Sequence, residues 1–136
     1  MTDEQCKRIL REDIRPIILG NSPKAHRLAL SIYLRYGLSS LLCASRTGIL
    51  DKLNPAAHFL PLITDAEPRL VCEQLCDLST RYEGTLLLLI PSSPEELSRL
   101  GDYRERLEET YLLLTEEEQI RRALSPCLRS VYSTGR

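Results

Sequence analysis

The chain has 136 residues, of which 43% are hydrophobic and 27% charged, so it can fold as one globular domain over 1–136. Its net charge of −1 lacks the basic excess of proteins that bind nucleic acid or acidic membranes, and its low aromatic content of 5% argues against a base-stacking surface. No segment is long and apolar enough to span a bilayer, and the polar start, 1–5, does not resemble a signal peptide. We therefore expect a cytoplasmic protein that binds neither nucleic acid nor membrane.

The first half of the chain predicts a helix, a strand, a second helix and a second strand. Asn21 and Ser22 are typical helix-capping residues, Pro23 suits a first helical turn, and Gly37 ends the apolar periodicity. The following loop contains apolar residues that suggest a short helical turn near 49–53. The predicted ranges are 3–13 (helix), 16–20 (strand), 23–36 (helix), 38–44 (strand) and 45–55 (loop).

The second half continues the alternation of strands and helices. Pro61 places the third strand at an edge of the sheet, whereas the uniformly apolar fourth strand should lie near its centre. The predicted ranges are 58–63 (strand), 65 or 67 to 82 (helix), 85–90 (strand), 95–107 (helix), 111–114 (strand), 116–124 (helix) and a tail that includes 126–136.

This alternation predicts a three-layer α/β/α domain with a five-stranded parallel sheet in the order 3-2-1-4-5. Ligands of such sheets bind beyond the carboxyl ends of the strands where the order reverses, here between the first and fourth strands. We predict a binding crevice at that point. Its predicted ligand-binding residues are Gly20, Asn21, Ser22, Arg46, Pro91, Ser92 and Ser93.

The helix that follows Ser22 could bind an anion at its N-terminus, with added charge from Lys24, Arg27 or Arg46. A plain N-capped helix without a ligand explains the same residues. A dinucleotide site is not favoured, because the loop has one glycine where that fingerprint needs three. His26, near the crevice, is either a general base or, as we favour, a structural hydrogen-bonding residue.

The remaining polar residues fit structural roles. Ser92 and Ser93 lack a nucleophile elbow and are expected to cap the next helix. The acidic pairs at 95–96 and 116–117 stand at helix N-termini, where negative charge is favourable. The five cysteines form no CxxC pair, and we expect small buried residues rather than a metal or redox site, although Cys72 and Cys76 would share a helix face.

Five segments together resemble the N-terminal (pre-ATP-grasp, Rossmann-like) domain of ATP-grasp carboxylate–amine ligases. They are Arg15-Pro-Ile-Ile-Leu-Gly20, Ala25-His-Arg-Leu-Ala29, Tyr33-Leu-Arg-Tyr-Gly-Leu-Ser-Ser40, Leu86-Leu-Leu-Leu-Ile-Pro91 and Tyr111-Leu-Leu-Leu-Thr115. The resemblance covers about residues 14–125. In those ligases a separate downstream domain holds ATP and Mg²⁺, so it implies no cofactor in this chain and no catalysis by this chain alone.

The resemblance implies an accessory domain that acts with a partner, either an ATP-grasp ligase chain or a second copy of itself. Two alternatives stay open: a sensor that binds a small anionic ligand or nucleotide, and a fragment of a longer ATP-dependent ligase. An enzyme acting alone ranks last, because the sequence shows no convergent base, nucleophile or metal set.

Overall fold

The computed structural model describes residues 13–64 and 67–127. Five strands form one sheet: β1 (Ile14–Leu19), β2 (Ser40–Ala44), β3 (Ala57–Pro61), β4 (Leu86–Pro91) and β5 (Tyr111–Leu113). The helices are α1 (Pro23–Tyr36), α2 (Ile49–Leu53), α3 (Pro68–Thr80), α4 (Pro94–Ser98), α5 (Arg104–Leu107) and α6 (Glu117–Leu124). Short 3₁₀ turns span Gly101–Tyr103 and Ser125–Cys127.

The sheet has the predicted order, β3-β2-β1-β4-β5, and every neighbouring pair is parallel. Strand β1 lies at the centre, with Ile17 opposite Leu41 of β2 and Leu89 of β4. The order reverses between β1 and β4, as predicted. Strand β3 is an edge strand, and Pro61 lies at its end.

Helices cover both faces of the sheet, which confirms the three-layer architecture. Alternate β1 residues point to opposite faces: Ile18 packs with α1 and α6, while Ile17 packs with α3. On the α3 side, Val71, Leu75 and Leu78 form a buried stripe, and Tyr82, which follows α3, is partly buried against the same core. Each face therefore has its own apolar core.

Helix α1 has the predicted bounds for a local reason. The Ser22 Oγ accepts a hydrogen bond from the Ala25 N–H, Pro23 occupies the first turn, and Gly37 adopts a left-handed conformation (φ 73°) that ends the helix. Short-range capping chemistry alone therefore fixes both ends.

The predicted helix over 95–107 is wrong as one element. The chain instead forms α4, a 3₁₀ turn and α5, because Gly101 has a positive φ of 53°. A Cβ at Gly101 would lie 3.2 Å from two atoms of the Pro68 ring. The absence of a side chain at Gly101 therefore also allows the first residue of α3 to pack closely against it. The predicted helix at 3–13 and most of the tail lie outside the described residues, although Cys127 is buried in the core.

Candidate functional site

The carboxyl ends of β1 and β4 meet in a closely packed seam. The Ser92 Oγ donates to the Leu19 carbonyl oxygen at 2.6 Å, and the Ser92 N–H donates to the same oxygen at 3.1 Å. Gly20 follows with φ 108°, and a Cβ there would lie 2.5 Å from the Ser92 Oγ. Two predicted site residues, Gly20 and Ser92, are thus in contact, and their contact closes the seam.

Most of the other predicted ligand-binding residues also have internal partners. Ser22 caps α1, and the Ser93 Oγ accepts from the Glu96 N–H at 3.2 Å. The Asn21 amide donates to the Arg46 carbonyl oxygen at 2.6 Å, while the Arg46 side chain is exposed. Pro91 is buried at the end of β4. Ligand binding by these residues stays a prediction.

Glu96 stands over the crevice, a position that the sequence interpretation missed. Its Cγ and Cδ would lie 3.6 and 3.7 Å from a Cβ at Gly20, and its side chain is only 14% exposed. Burial raises the pKa of the Glu96 carboxyl, against the opposing effect of Arg99, whose Nη1 lies 2.9 Å from its Oε1. The Glu96–Arg99 spacing signals an ion pair, but no sequence pattern connects Glu96 to Gly20.

A pocket of about 460 Å³ opens beside the seam, between the starts of α1 and α6. Its lining includes three predicted residues, Pro91, Ser92 and Ser93, but not Gly20, Asn21, Ser22 or Arg46. Lys24, Glu116 and Glu117 supply charge. The full lining is Lys24, Leu28, Ile90, Pro91, Ser92, Ser93, Pro94, Leu97, Thr115, Glu116, Glu117 and Ile120.

A polar clip of four side chains (Asn21, His26, Asp51 and Asn54) fastens α2 to α1. The His26 Nε2 lies 2.7 Å from the Asp51 Oδ1, and the Asn54 Nδ2 lies 2.9 Å from the His26 Nδ1. The Asp51 Oδ2 accepts from Asn21 at 2.8 Å and from the Gly48 N–H at 2.6 Å. The side chains of His26 and Asp51 are only 7% and 2% exposed, so the contact between these two residues is shielded from water.

The clip determines which nitrogen of His26 carries a proton. The Asn54 Oδ1 accepts from the Ala56 N–H at 2.9 Å, which turns the Asn54 amide nitrogen toward the His26 Nδ1 as a donor. The proton is therefore on Nε2, which donates to Asp51. Because both ring nitrogens are engaged, the geometry supports the structural interpretation of His26 rather than a general base.

Asp51 is held as a carboxylate within the clip. Burial acts to raise its pKa, but hydrogen bonds from Gly48, Asn21 and His26 together outweigh burial and lower the pKa below its ordinary value. The sequence suggested a short helix at this position but gave no signal that Asp51 would meet His26.

Apolar side chains cover the outside of α2 and the adjoining part of α1. Ile49 is 80% exposed and Leu53 68% exposed, and α2 contains no buried residue. We call the following exposed side chains the apolar face: Leu30, Tyr33, Leu34, Ile49, Leu50 and Leu53.

Within 13–64 and 67–127, no helix has the length and apolarity needed to cross a membrane. The same residues contain no group of three His, Cys, Asp or Glu side chains that could hold a metal ion. No protein-family model, curated protein or solved structure matches the chain.

Proposed function

We propose that this chain is a non-catalytic accessory domain that binds a partner chain through the apolar face. The observation that carries the proposal is the exposure of Ile49 and Leu53, two large apolar side chains on one short helix. Contiguous exposed apolar surface of this kind is typical of protein interaction sites.

The polar clip supports this proposal because it presents the face in one orientation. Helix α2 has only five residues and buries none of them, so packing alone would hold it weakly. Hydrogen bonds from His26 and Asn21 to Asp51 fix its position instead. A partner would meet a preformed surface and would lose little affinity to ordering it.

We propose an ATP-grasp carboxylate–amine ligase chain as the partner, as the resemblance implies. ATP and Mg²⁺ would then be held by the partner and not by this chain. If the chain is the front part of a longer ligase, the same face would pack against the domain that follows. The free thiols of Cys43, Cys72 and Cys76 suit a reducing compartment such as the cytoplasm.

Site-specific photocrosslinking in the source cells tests this proposal. A photoreactive residue replaces Ile49 in the apolar face, and a matched variant carries it at Glu108, which is exposed and outside that face. We expect a chain with an ATP-grasp domain to crosslink from position 49 but not from 108, and the product to disappear with Leu53→Asp. No product, equal products, or a partner without that domain would refute the proposal.

A second candidate is binding of a small anionic ligand in the pocket of about 460 Å³, where Lys24 and Ser93 could meet an anion but the carboxylates of Glu116 and Glu117 also line the space. Its volume is within the range of small-molecule sites. Thermal unfolding with phosphate, nucleotides or amino acids tests it. A rise in melting temperature with one anion, absent in Lys24→Ala, would support the candidate; no rise with any of them would count against it.

A further inference from the structure

Charge is distributed unequally between the two described parts of the chain. Residues 13–64 contain six Lys and Arg but only two acidic residues, whereas residues 67–127 contain seven Arg and thirteen acidic residues. Although the net charge of the whole chain is −1, residues 13–64 are therefore basic and residues 67–127 are strongly acidic. We call these two ranges the basic part and the acidic part.

The strand order separates these parts in space. With β1 at the centre, β2 and β3 extend the sheet to one side and β4 and β5 to the other. Strands from residues 40–61 thus lie on one side and strands from residues 86–113 on the opposite side. The basic segments beside β2 and β3 and the acidic segments beside β5 therefore lie on opposite sides of β1.

The apolar face lies in the basic part and has a basic border. Lys52 adjoins Ile49 and Leu53, and these three residues line a shallow depression of about 400 Å³. Arg27 is exposed one turn before Leu30 on α1. The only acidic residue of α1 and α2 is Asp51, whose carboxylate is 2% exposed and bonded to His26.

We propose that the apolar face binds an acidic apolar surface on a different protein chain; this inference rests on the proposed function. Opposite charges around an apolar contact raise the association rate and disfavour wrong partners. The Lys52 and Arg27 side chains would meet carboxylates at the border, while Ile49 and Leu53 would be buried at its centre.

A second copy and an anionic membrane fit the face less well. A two-fold contact through this face would place the basic border of one copy against the equally basic border of the other. Anionic membranes are typically bound by clusters of about four to eight Lys and Arg, whereas Lys52 and Arg27 are the two cations that border this face. An acidic protein surface needs no such cluster and meets no like charge.

Two synthetic amphipathic helices provide a direct test with the full chain. Both have leucines at helical spacing; one has glutamates at its other positions and its counterpart has lysines. At low salt we expect the glutamate helix to bind about tenfold more tightly than the lysine helix, as measured by fluorescence anisotropy. Physiological salt should reduce this preference, because salt screens exposed charges.

Variants locate the binding surface in the same assay. Leu53→Ser should abolish binding of the glutamate helix, and Lys52→Glu should weaken it about threefold. Arg104→Glu, the same charge change in the acidic part of the chain, should leave binding unchanged. Equal binding of the two helices, no binding of either, or equal effects of Lys52→Glu and Arg104→Glu would refute the inference.

The competing occupants have their own measurements. Self-association in sedimentation velocity that Leu53→Ser removes would show a second copy to be the occupant, and would refute an acidic partner. Cosedimentation with phosphatidylserine vesicles but not with phosphatidylcholine vesicles, again lost with Leu53→Ser, would show a membrane. The peptides test only the chemistry of the face, so a crosslinked partner without an ATP-grasp domain would refute the proposed function and leave this inference standing.

Discussion

The β1–β4 seam and helix α2 are both at the carboxyl side of the sheet, but different forces hold them. At the seam, buried strands meet and Gly20 leaves room for only the Ser92 hydroxyl. Helix α2 buries no residue and depends on the hydrogen bonds of Asp51 with its neighbours.

The structure of the seam therefore depends on close steric fit, whereas the position of α2 depends on hydrogen bonds to a charged group. The seam should be sensitive to a single added methyl group. The clip should tolerate changes on the outside of α2 but respond to the loss of one charge.

The largest expected effect is that of Gly20→Ala, which adds a Cβ at a positive φ against the Ser92 hydroxyl. We expect a loss of about 3 kcal/mol in the free energy of unfolding, measured with urea. Gly84→Ala is the matched control, because Gly84 also has a positive φ (85°) but no atom within 4 Å of the added Cβ. It should cost about 1 kcal/mol.

Combining Gly20→Ala with Ser92→Ala should recover the steric part of that loss. If the double variant is no more stable than Gly20→Ala alone, the seam does not depend on this close contact.

The next largest effect is that of Asp51→Asn, which removes the carboxylate of the polar clip. We expect a loss of about 2 kcal/mol, since the buried His26 and the half-buried Asn21 would lose a charged acceptor. Amide hydrogen exchange should increase over 48–54 more than in β1. Asp102→Asn, at an exposed acid, should change neither measurement; a global increase in exchange instead would mean that α2 is not held locally.

Asp51 and Glu96 should give opposite dependences on pH. Because the pKa of Asp51 is lowered on folding, its stabilisation should be lost as pH falls below about 4, and Asp51→Asn should remove that loss. Because the pKa of Glu96 is raised, its contribution should become unfavourable as pH rises above about 4, and Glu96→Gln should reduce that decline. Unfolding with urea at a series of pH values measures both; unchanged slopes in both variants would contradict these assignments.

The smallest effect on stability is expected for Leu53→Ser on the apolar face. Since this side chain is 68% exposed, the free energy of unfolding should change by no more than about 0.5 kcal/mol. By contrast, Leu75→Ala in the buried stripe of α3 should cost about 3 kcal/mol. A large loss with Leu53→Ser would mean that the face belongs to the core.

The backbone framework could be predicted from sequence because local signals agreed with one another. Ser22 and Gly37 mark the ends of α1, and the apolar run at 86–90 indicates a buried parallel strand. The break at Gly101 was missed because helical periodicity continues through it, and the reason for the break, the close approach of Pro68, is a tertiary contact.

The side-chain contacts at the candidate site could not be predicted from the sequence in the same way. His26 and Asp51 are 25 residues apart, and their pairing depends on how α2 lies against α1. The contact of Glu96 with Gly20 likewise depends on the pairing of β1 with β4. Such contacts are set by the three-dimensional arrangement and have no repeating sequence pattern.

The central position of β1 has a consequence for folding during synthesis. Strands β1, β2 and β3 and their helices can associate early, but one edge of β1 has no partner until residues 86–91 have been made. Ile14 pairs with Leu86, so this step closes a long loop and should limit the folding rate. Until that step, a nascent chain would expose an unpaired apolar strand at the middle of its future sheet, which makes this interval the one most prone to aggregation.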